Sequence, residues 1–164
     1  MSKLAFHVEL AQLDDVVRIQ QIYAHHVLNG LGTFEENPPS IIEMHERFQK
    51  INAEEFPYIV AKLDNIVVGY AYAGHFRERS AFRYTVEDSI YVAPEFVGHG
   101  VGELLLIELI HLCRARGYRE LVALIGDSCN HASIKLHRKL KSLVPKRIPQ
   151  KQKFAQPLFG AKHN

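Results

Sequence analysis

The sequence predicts an α+β fold, in which helices flank one mixed central sheet, from three observations. Strand-like and helix-like periodicities follow one another in the order β-α-α-β-β-β-α-β-α. A chain of 164 residues is long enough for one domain with its own core. Hydrophobic residues make up 47% of the chain and charged residues 23%, which is typical of a soluble globular protein.

The first third of the chain predicts one strand and two helices. Alternating side chains predict a strand over residues 4–10. Apolar residues at helical spacing predict a helix over 14–29, which Asn29-Gly30 would end. Ser40 and Glu43 have the spacing of a capping box, so we expect a second helix to begin there.

Four further strands and two helices complete the predicted domain. Runs rich in β-forming residues cover 58–63 and 66–73, and the Asp64-Asn65 pair between them predicts a tight hairpin. A third run covers 84–92. The remaining elements are a helix over 100–116 ended by Gly117, a short buried strand over 120–125 and a helix over 130–140.

The C-terminal end differs from the rest of the chain. Residues 128–164 carry nine Lys/Arg and no Asp or Glu, whereas residues 1–127 carry 11 basic and 18 acidic side chains and sum to −7. Three prolines interrupt the last segment and its periodicity fades. We therefore expect a core domain over 1–140 and an atypical basic tail over 141–164. A basic tail can bind nucleic acid or phosphate, but a solvated terminus is the simpler interpretation, so a nucleic-acid partner is not the favoured prediction.

Composition also bears on location and metal binding. No apolar run approaches the roughly 18 residues that a membrane span needs, and no signal-peptide segment is present. Cys113 and Cys129 suggest neither a zinc site nor a disulfide framework. The histidines, His25-His26 among them, lack ligand spacings such as HExxH. We expect a cytoplasmic protein with no membrane partner and no metal.

The most informative segment lies between the 84–92 strand and the helix that follows it. Gly98, Gly100 and Gly102 alternate, so the backbone can turn tightly and approach a ligand closely. The free N–H groups and the positive dipole end of the next helix would face the same point. Together they favour a pyrophosphate site; a glycine-rich turn without a ligand is the alternative. Glu103 stands where a Rossmann fingerprint needs glycine, and a Walker Gly-Lys-Ser/Thr is absent.

Several motifs in order resemble the GNAT N-acetyltransferase family. The segment 97–102, Val-Gly-His-Gly-Val-Gly, is similar to the family's acetyl-CoA motif, Arg/Gln-x-x-Gly-x-Gly/Ala. More narrowly, the chain resembles the phosphinothricin and methionine sulfoximine or sulfone N-acetyltransferases. The matching segments are 22–28, 33–34, 76–83, 85–92, 122–126, Asn130 and 133–137. The resemblance covers residues 4–140 and implies the GNAT fold.

The resemblance also implies acetyl-CoA as co-substrate and a place for it. The molecule would lie where the 84–92 strand splays from the 120–125 strand. Backbone N–H groups around Tyr91 and Val92 would polarise its thioester carbonyl. The implied binding residues are Ile90, Tyr91, Val92, Val97, Gly98, His99, Gly100, Val101, Gly102, Asn130 and Ser133.

Two residues are the catalytic candidates. An alkylammonium must lose a proton before its nitrogen attacks a thioester, and a carboxylate within reach can take that proton. The resemblance assigns this role to Glu87; a strand-surface carboxylate paired with Arg is the alternative. His137 stands where many members carry a Tyr that protonates the leaving thiolate, a task within the range of an imidazole. A merely packed helical histidine is the other interpretation.

The implied acceptor is a small amino-acid-like amine such as phosphinothricin or methionine sulfoximine. The residues expected to bind it are Phe34, Arg77, Arg79 and Thr85. A guanidinium fork suits a carboxylate or phosphinate, although Arg77 can equally belong to a solvated basic loop. Phe34 can equally be an aromatic core contact.

Two departures from the family pattern stand out. Val97 replaces the usual Arg or Gln, which removes a polar contact at the loop. The usual closing strands are not recognisable in 141–164, which predicts at most one short strand there, a more open acceptor pocket and weak acceptor turnover. A bare sheet edge would invite pairing with a second subunit, so we expect a homodimer. An acyl-CoA-binding regulator and a nucleic-acid-associated protein stay open as other functions.

Overall fold

The computed structural model describes residues 4–30, 32–125 and 129–141. In this part of the chain the elements follow the predicted order. They are β1 (His7–Leu10), α1 (Val16–Asn29), α2 (Ile41–Ala53), β2 (Tyr58–Leu63), β3 (Ile66–His75), β4 (Thr85–Val92), α3 (Val101–Ala115), β5 (Glu120–Ala123) and α4 (His131–Leu140).

The five strands form one sheet in the order β1-β2-β3-β4-β5. Pairs from β1 to β4 are antiparallel, and β4 pairs with β5 in parallel, so the predicted mixed sheet is confirmed. The parallel pairing runs from Thr85 with Glu120 to Asp88 with Ala123. Because β4 continues to Val92, its residues 89–92 extend past the last paired position. The predicted splay between these strands therefore begins after Asp88.

Helices cover both faces of the sheet. A cluster that includes Leu105 and Leu109 packs α3 on one face, and a second cluster with Ile19 and Phe48 packs α1 and α2 on the other. The α3 layer lies very close to β3, since a Cβ built on Gly69 would lie 3.0 Å from a Val101 methyl group. Each of the two faces of β4 is therefore covered by a buried layer.

Local signals in the sequence correspond to local structure. Asp64 and Asn65 both have positive φ, 49° and 64°, as the predicted tight hairpin requires. The Ser40 hydroxyl accepts a hydrogen bond from the Glu43 N–H at 3.1 Å. Gly117 ends α3 with a φ of 86°.

The start of α1 differs from the prediction. Residues Leu13–Asp15 form a 3-10 turn, and the α-helix begins at Val16. The cause is the side chain of Asp15, which accepts the Gln12 N–H at 2.8 Å and pairs with Lys62 at 3.0 Å. Both contacts hold this carboxylate at the head of the turn.

The tail predictions fall outside the described residues, because the structure describes nothing beyond residue 141. Among the described helices, none is both long and apolar enough to cross a membrane. The homodimer and the cytoplasmic location stay predictions from the sequence.

Candidate active site

β4 presents two different faces, because successive side chains of a strand point to opposite sides. Val86 and Ile90 pack into the cluster shared with α3 and α4. Tyr91 packs into the cluster shared with α1 and α2. Glu87 therefore shares the α1/α2 face, and Asp88 points to the α3/α4 face.

The carboxyl of Glu87 is half-buried and has a raised pKa. Its burial, together with the adjacent Asp88 charge, raises the pKa of its carboxyl to about 7. The rings of Tyr72 and Tyr91 lie near enough for the Glu87 charge to contribute to their own raised pKa values, which burial dominates. In the described part of the chain no basic side chain forms an ion pair with Glu87. A carboxyl with a pKa near neutrality suits general base work at physiological pH.

The glycine-rich loop leaves room for a ligand at the start of α3. Gly98 and Gly100 have φ of 82° and 84°, and a Cβ built on either meets no atom within 4 Å. The first helical hydrogen bond runs from the Leu104 N–H to the Gly100 carbonyl at 3.1 Å. The N–H groups of residues 101–103 therefore lack helical acceptors and are available to an anion.

The other residues of this loop play distinct parts. A Cβ on Gly102 would lie 3.3 Å from the Leu136 side chain, so this glycine allows α4 to approach α3. Val101 is 1% exposed, which leaves only its backbone to a ligand. Val97 is 56% exposed, and His99 lies at the surface with its Nδ1 3.2 Å from the Val97 carbonyl oxygen.

The predicted residues of α4 share one helical face. The Asn130 side-chain oxygen caps the helix by accepting the Ser133 N–H at 3.2 Å. The Ser133 hydroxyl lies 3.3 Å from Nδ1 of His137, one turn further along. These contacts order the N-terminal turn of α4 beside the glycine loop.

His137 has both ring nitrogens engaged. Its Nε2 lies 2.7 Å from Oδ2 of Asp88, and its Nδ1 lies 2.8 Å from the Ser133 carbonyl oxygen. Burial opposes a charge on the ring, but the hydrogen bond and charge of Asp88, together with the Ser133 carbonyl, outweigh it and raise the pKa of His137. The role of His137 as acid for the thiolate stays a prediction, since its donors already serve neighbours in the described structure.

The four predicted acceptor-binding residues are placed differently. Thr85 is 4% exposed, and its hydroxyl donates to Glu120 at 3.0 Å. Arg77 stacks over the Phe76 and Phe82 rings, with its guanidinium carbon 5.1 and 5.6 Å from their centres. Arg79 is exposed.

Phe34 is 81% exposed, which excludes the core contact that was its alternative. It stands in a loop that a polar network holds against α1 and α2, and sequence reasoning missed this network. The Tyr23 hydroxyl contacts the Thr33 hydroxyl at 2.8 Å and donates to Glu35, whose carboxylate also takes two hydrogen bonds from Arg47 at 2.6 and 3.0 Å. The signal available in the sequence was the four-residue spacing of Glu43 and Arg47, which form a further ion pair.

Asp88 was also missed, although a signal for it exists. A carboxylate at this position interrupts the apolar side of a period-two strand, between Val86 and Ile90. A charge at a core position of a strand predicts a buried partner. In the structure that partner is His137.

Within residues 4–30, 32–125 and 129–141, no three His, Cys, Asp or Glu side chains are grouped so that they could hold a metal ion. The site consists instead of a sheet that opens beside a glycine-rich loop, as the sequence resemblance implied. The sequence profile of the Acetyltransferase (GNAT) family matches residues 19–141. The chain belongs to this family of acetyltransferases, and the predicted family and fold are confirmed.

Within the family, the chain is similar to enzymes named for particular amine acceptors. It is 47% identical over 137 residues to the phosphinothricin N-acetyltransferase of Alcaligenes faecalis, covering 84% of this chain and 70% of that enzyme. It is 35% identical over 146 residues to the L-methionine sulfoximine/L-methionine sulfone acetyltransferase of Salmonella typhimurium, covering 87% and 83%. A crystal structure of a Sinorhizobium meliloti phosphinothricin acetyltransferase in complex with AcCoA superposes with a TM-score of 0.79 at 46% identity, covering 82% and 73%.

Proposed function

We propose that this chain transfers an acetyl group from acetyl-CoA to the primary amine of a small amino-acid-like acceptor, with Glu87 as the general base. The acceptors named for its relatives, phosphinothricin and methionine sulfoximine, are the first candidates. The observation that carries the proposal is the Glu87 carboxyl. It is half-buried and without an ion-pair partner among the described residues, and it lies next to the last position at which β4 and β5 pair.

The glycine-rich loop fits the pyrophosphate of acetyl-CoA. A side chain at Gly98 or Gly100 would project into the open space in front of α3, and the free N–H groups of residues 101–103 point toward an anion there. Gly98 and Gly100 together with these N–H groups would hold the pyrophosphate, and Asn130 and Ser133 would meet the molecule from α4. The co-substrate supplies an activated thioester.

Each residue then has a defined task in the transfer. Glu87 removes a proton from the acceptor ammonium, and the free amine nitrogen attacks the thioester carbon. The carbon–sulfur bond then breaks to release a thiolate, and the new amide nitrogen loses its second proton to water. The Ala93 N–H donates to the Val68 carbonyl on β3. Because N–H groups alternate in direction along a strand, those of Ile90 and Val92 point away from β3, toward the opening between β4 and β5. There they would stabilise the charge that develops on the thioester oxygen. The thiolate gains a proton from His137, as the resemblance implies, or from water.

The acceptor would enter on the tyrosine-lined face of β4. Phe34 stands exposed near this face on its supported loop, and the Tyr91 hydroxyl donates to the Gly32 carbonyl of the same loop at 3.2 Å. Arg77 and Arg79, from the connection before β4, would supply guanidinium groups for a carboxylate or phosphinate. Thr85 would act on the acceptor only indirectly, because its hydroxyl donates to Glu120. This contact lies at the end of the site where β4 and β5 are still paired.

Calorimetry with acetyl-CoA, followed by a thiol-release assay over a panel of amines, tests the proposal. The panel contains phosphinothricin, methionine sulfoximine, methionine sulfone and unmodified methionine. We expect binding of acetyl-CoA and thiol release with at least one amino-acid-like amine. Binding without release from any amine would instead identify an acyl-CoA-binding regulator. Absence of binding, with salt-sensitive binding to DNA, would identify a nucleic-acid-associated protein.

A further inference from the structure

A buried ion pair joins β4 to α4 on the face of the strand opposite Glu87. Asp88 and His137 meet at 2.7 Å, and their side chains are only 3% and 9% exposed. Withdrawing two charges from water carries a desolvation cost that a pair of apolar side chains would not have. Removing one partner leaves an uncompensated buried group, so the pair couples the positions of the two elements that carry it.

The helix that this pair holds carries two of the proposed acetyl-CoA contacts. Asn130 caps α4 and Ser133 lies in its first turn, with the Ser133 carbonyl bonded to the His137 ring at 2.8 Å. Other contacts also join α4 to α3. They include the close approach at Gly102, an exposed pair between Lys139 and Glu103 at 2.7 Å, and the packing of Leu140 in the apolar cluster shared with α3. Exposed pairs contribute little to docking, so the buried pair is the stronger polar link.

We infer that Asp88 is a positioning residue, which acts through His137 to hold α4 against β4 and so places Asn130 and Ser133 beside the glycine-rich loop. This inference rests on the proposed function, because it concerns the binding of acetyl-CoA. Asp88 touches neither substrate in this scheme.

Asp88 also affects Glu87, the proposed base on the other face of β4. Its charge contributes to the raised pKa of Glu87, although burial is the larger cause. The ionisable groups around Asp88 are His137 from α4, Cys113 from α3, whose thiol pKa burial raises with a contribution from Asp88, and Glu87 itself. The residues paired with Asp88 on β3 and β5 are alanines and carry no charge. Loss of the Asp88 charge therefore lowers the pKa of Glu87.

Three variants separate these effects. Asp88→Asn keeps the shape and removes the charge, His137→Ala removes the partner, and His137→Gln keeps an N–H donor for Asp88. By calorimetry we expect Asp88→Asn and His137→Ala to weaken acetyl-CoA binding about tenfold. His137→Gln should lose less affinity than His137→Ala, because it retains a hydrogen bond to the carboxylate. If only Asp88→Asn fails to fold, the two His137 variants carry the test.

The pH profile provides a measurement that a merely structural role leaves unchanged. In Asp88→Asn the acidic limb of kcat/KM for the acceptor should move to lower pH, since the Glu87 carboxyl ionises more readily. The pH profile is compared in Asp88→Asn and the wild type, because His137→Ala removes the partner of a buried carboxylate and so changes two groups at once. Hydrogen exchange of the amides of residues 131–140 should quicken in Asp88→Asn and in His137→Ala.

Asp15→Asn is the matched control, because Asp15 is also buried and also has an ion-pair partner, Lys62 at 3.0 Å. It lies at the head of α1, and we expect it to lower stability without changing acetyl-CoA affinity. Wild-type affinity in Asp88→Asn or an equal loss in Asp15→Asn would overturn the inference. An unmoved acidic limb in Asp88→Asn would overturn the effect assigned to the Asp88 charge on Glu87. These outcomes are distinct from failure of the proposed function, in which the wild-type chain itself binds no acetyl-CoA or releases no thiol.

Discussion

Glu87 and Asp88 are neighbours on one strand, yet the two faces of β4 give them opposite properties. Asp88 is buried against α3 and α4 and contacts the His137 ring at 2.7 Å. Glu87 is half-buried among tyrosines, has no ion-pair partner among the described residues, and has a pKa of about 7. Burial alone favours the neutral form of a carboxyl, and a nearby cation favours the charged form. The comparison shows that the side of the strand, and not the residue type, decides which of the two carboxylates is engaged by a neighbouring side chain.

The two faces also differ in what they support. The α3/α4 face of β4 leads to the glycine-rich loop and α4, where the proposed contacts to acetyl-CoA lie. The α1/α2 face carries Glu87 and the tyrosines near the Phe34 loop. We therefore expect changes on the first side to alter acetyl-CoA affinity, and changes on the second side to alter turnover.

Replacing Glu87, the proposed base, should have the largest effect. Glu87→Gln keeps the shape but cannot accept a proton, and we expect kcat at pH 7 to fall by about 10²–10⁴-fold. Acetyl-CoA affinity by calorimetry should barely change, and the deficit should shrink at alkaline pH, where free amine is abundant. Glu108→Gln, on the surface of α3, is the control and should keep full activity. Wild-type turnover of Glu87→Gln at pH 7 would rule out this base.

A change in the glycine-rich loop should act on affinity instead. Gly100→Asp adds strain at a φ of 84° and places a negative charge where the pyrophosphate is proposed, so we expect acetyl-CoA to bind at least about tenfold more weakly. Gly117→Asp is a matched control, because Gly117 has a φ of 86°, equally open space around its Cβ and a position beyond the other end of α3. Equal losses in the two folded variants would contradict the pyrophosphate site.

The raised pKa of Glu87 also has a consequence for stability. Its pKa in the folded chain lies above the ordinary value of 4.5, so the folded state holds this proton more strongly than the unfolded state does. The contribution to stability is therefore present at low pH and is lost as the pH rises from about 4.5 through 7. Glu87→Gln cannot ionise, and we expect it to stabilise the fold by about 1 kcal/mol at pH 8, after allowance for solvent exposure.

Chemical denaturation at pH 4 and pH 8 measures this difference. The gain in Glu87→Gln should be present at pH 8 and absent at pH 4, whereas Glu108→Gln should show no such dependence. A gain of the same size at both pH values would mean that packing, not ionisation, is responsible.

The smallest effect is expected at Val97, where the glycine-rich loop departs from the family motif. Val97 is exposed, and Val97→Arg would place a cation near the proposed pyrophosphate, which should tighten acetyl-CoA binding about twofold to threefold at low salt. The gain should vanish at high ionic strength. Ile42→Arg, at another exposed apolar site, on α2, controls for a general effect of added positive charge.

Local features of the fold were predictable because neighbouring residues cause them. The hairpin follows from Asp64 and Asn65, which tolerate positive φ, and the start of α2 follows from the Ser40 cap. The glycine-rich loop was likewise visible, since its spacing and the helix behind it lie in one short stretch. The face of Glu87 followed from the period of two along the strand.

The features that distinguish the site came from residues far apart in the chain. Asp88 and His137 are 49 positions apart, and only the packing of α4 on the sheet brings their side chains to 2.7 Å. Gly102 has the spacing of a phosphate-loop glycine, yet its contact with Leu136 shows that it also makes room for α4. The sequence was sufficient for the order of the elements and for the side of β4 on which Glu87 lies, because short-range periodicity and backbone preference encode them. It was also sufficient for the family, because several motifs recur in order. The raised pKa values of Glu87 and His137, and the hydrogen bonds that hold the His137 ring, depend on burial and on partners. These arise only when distant segments pack together.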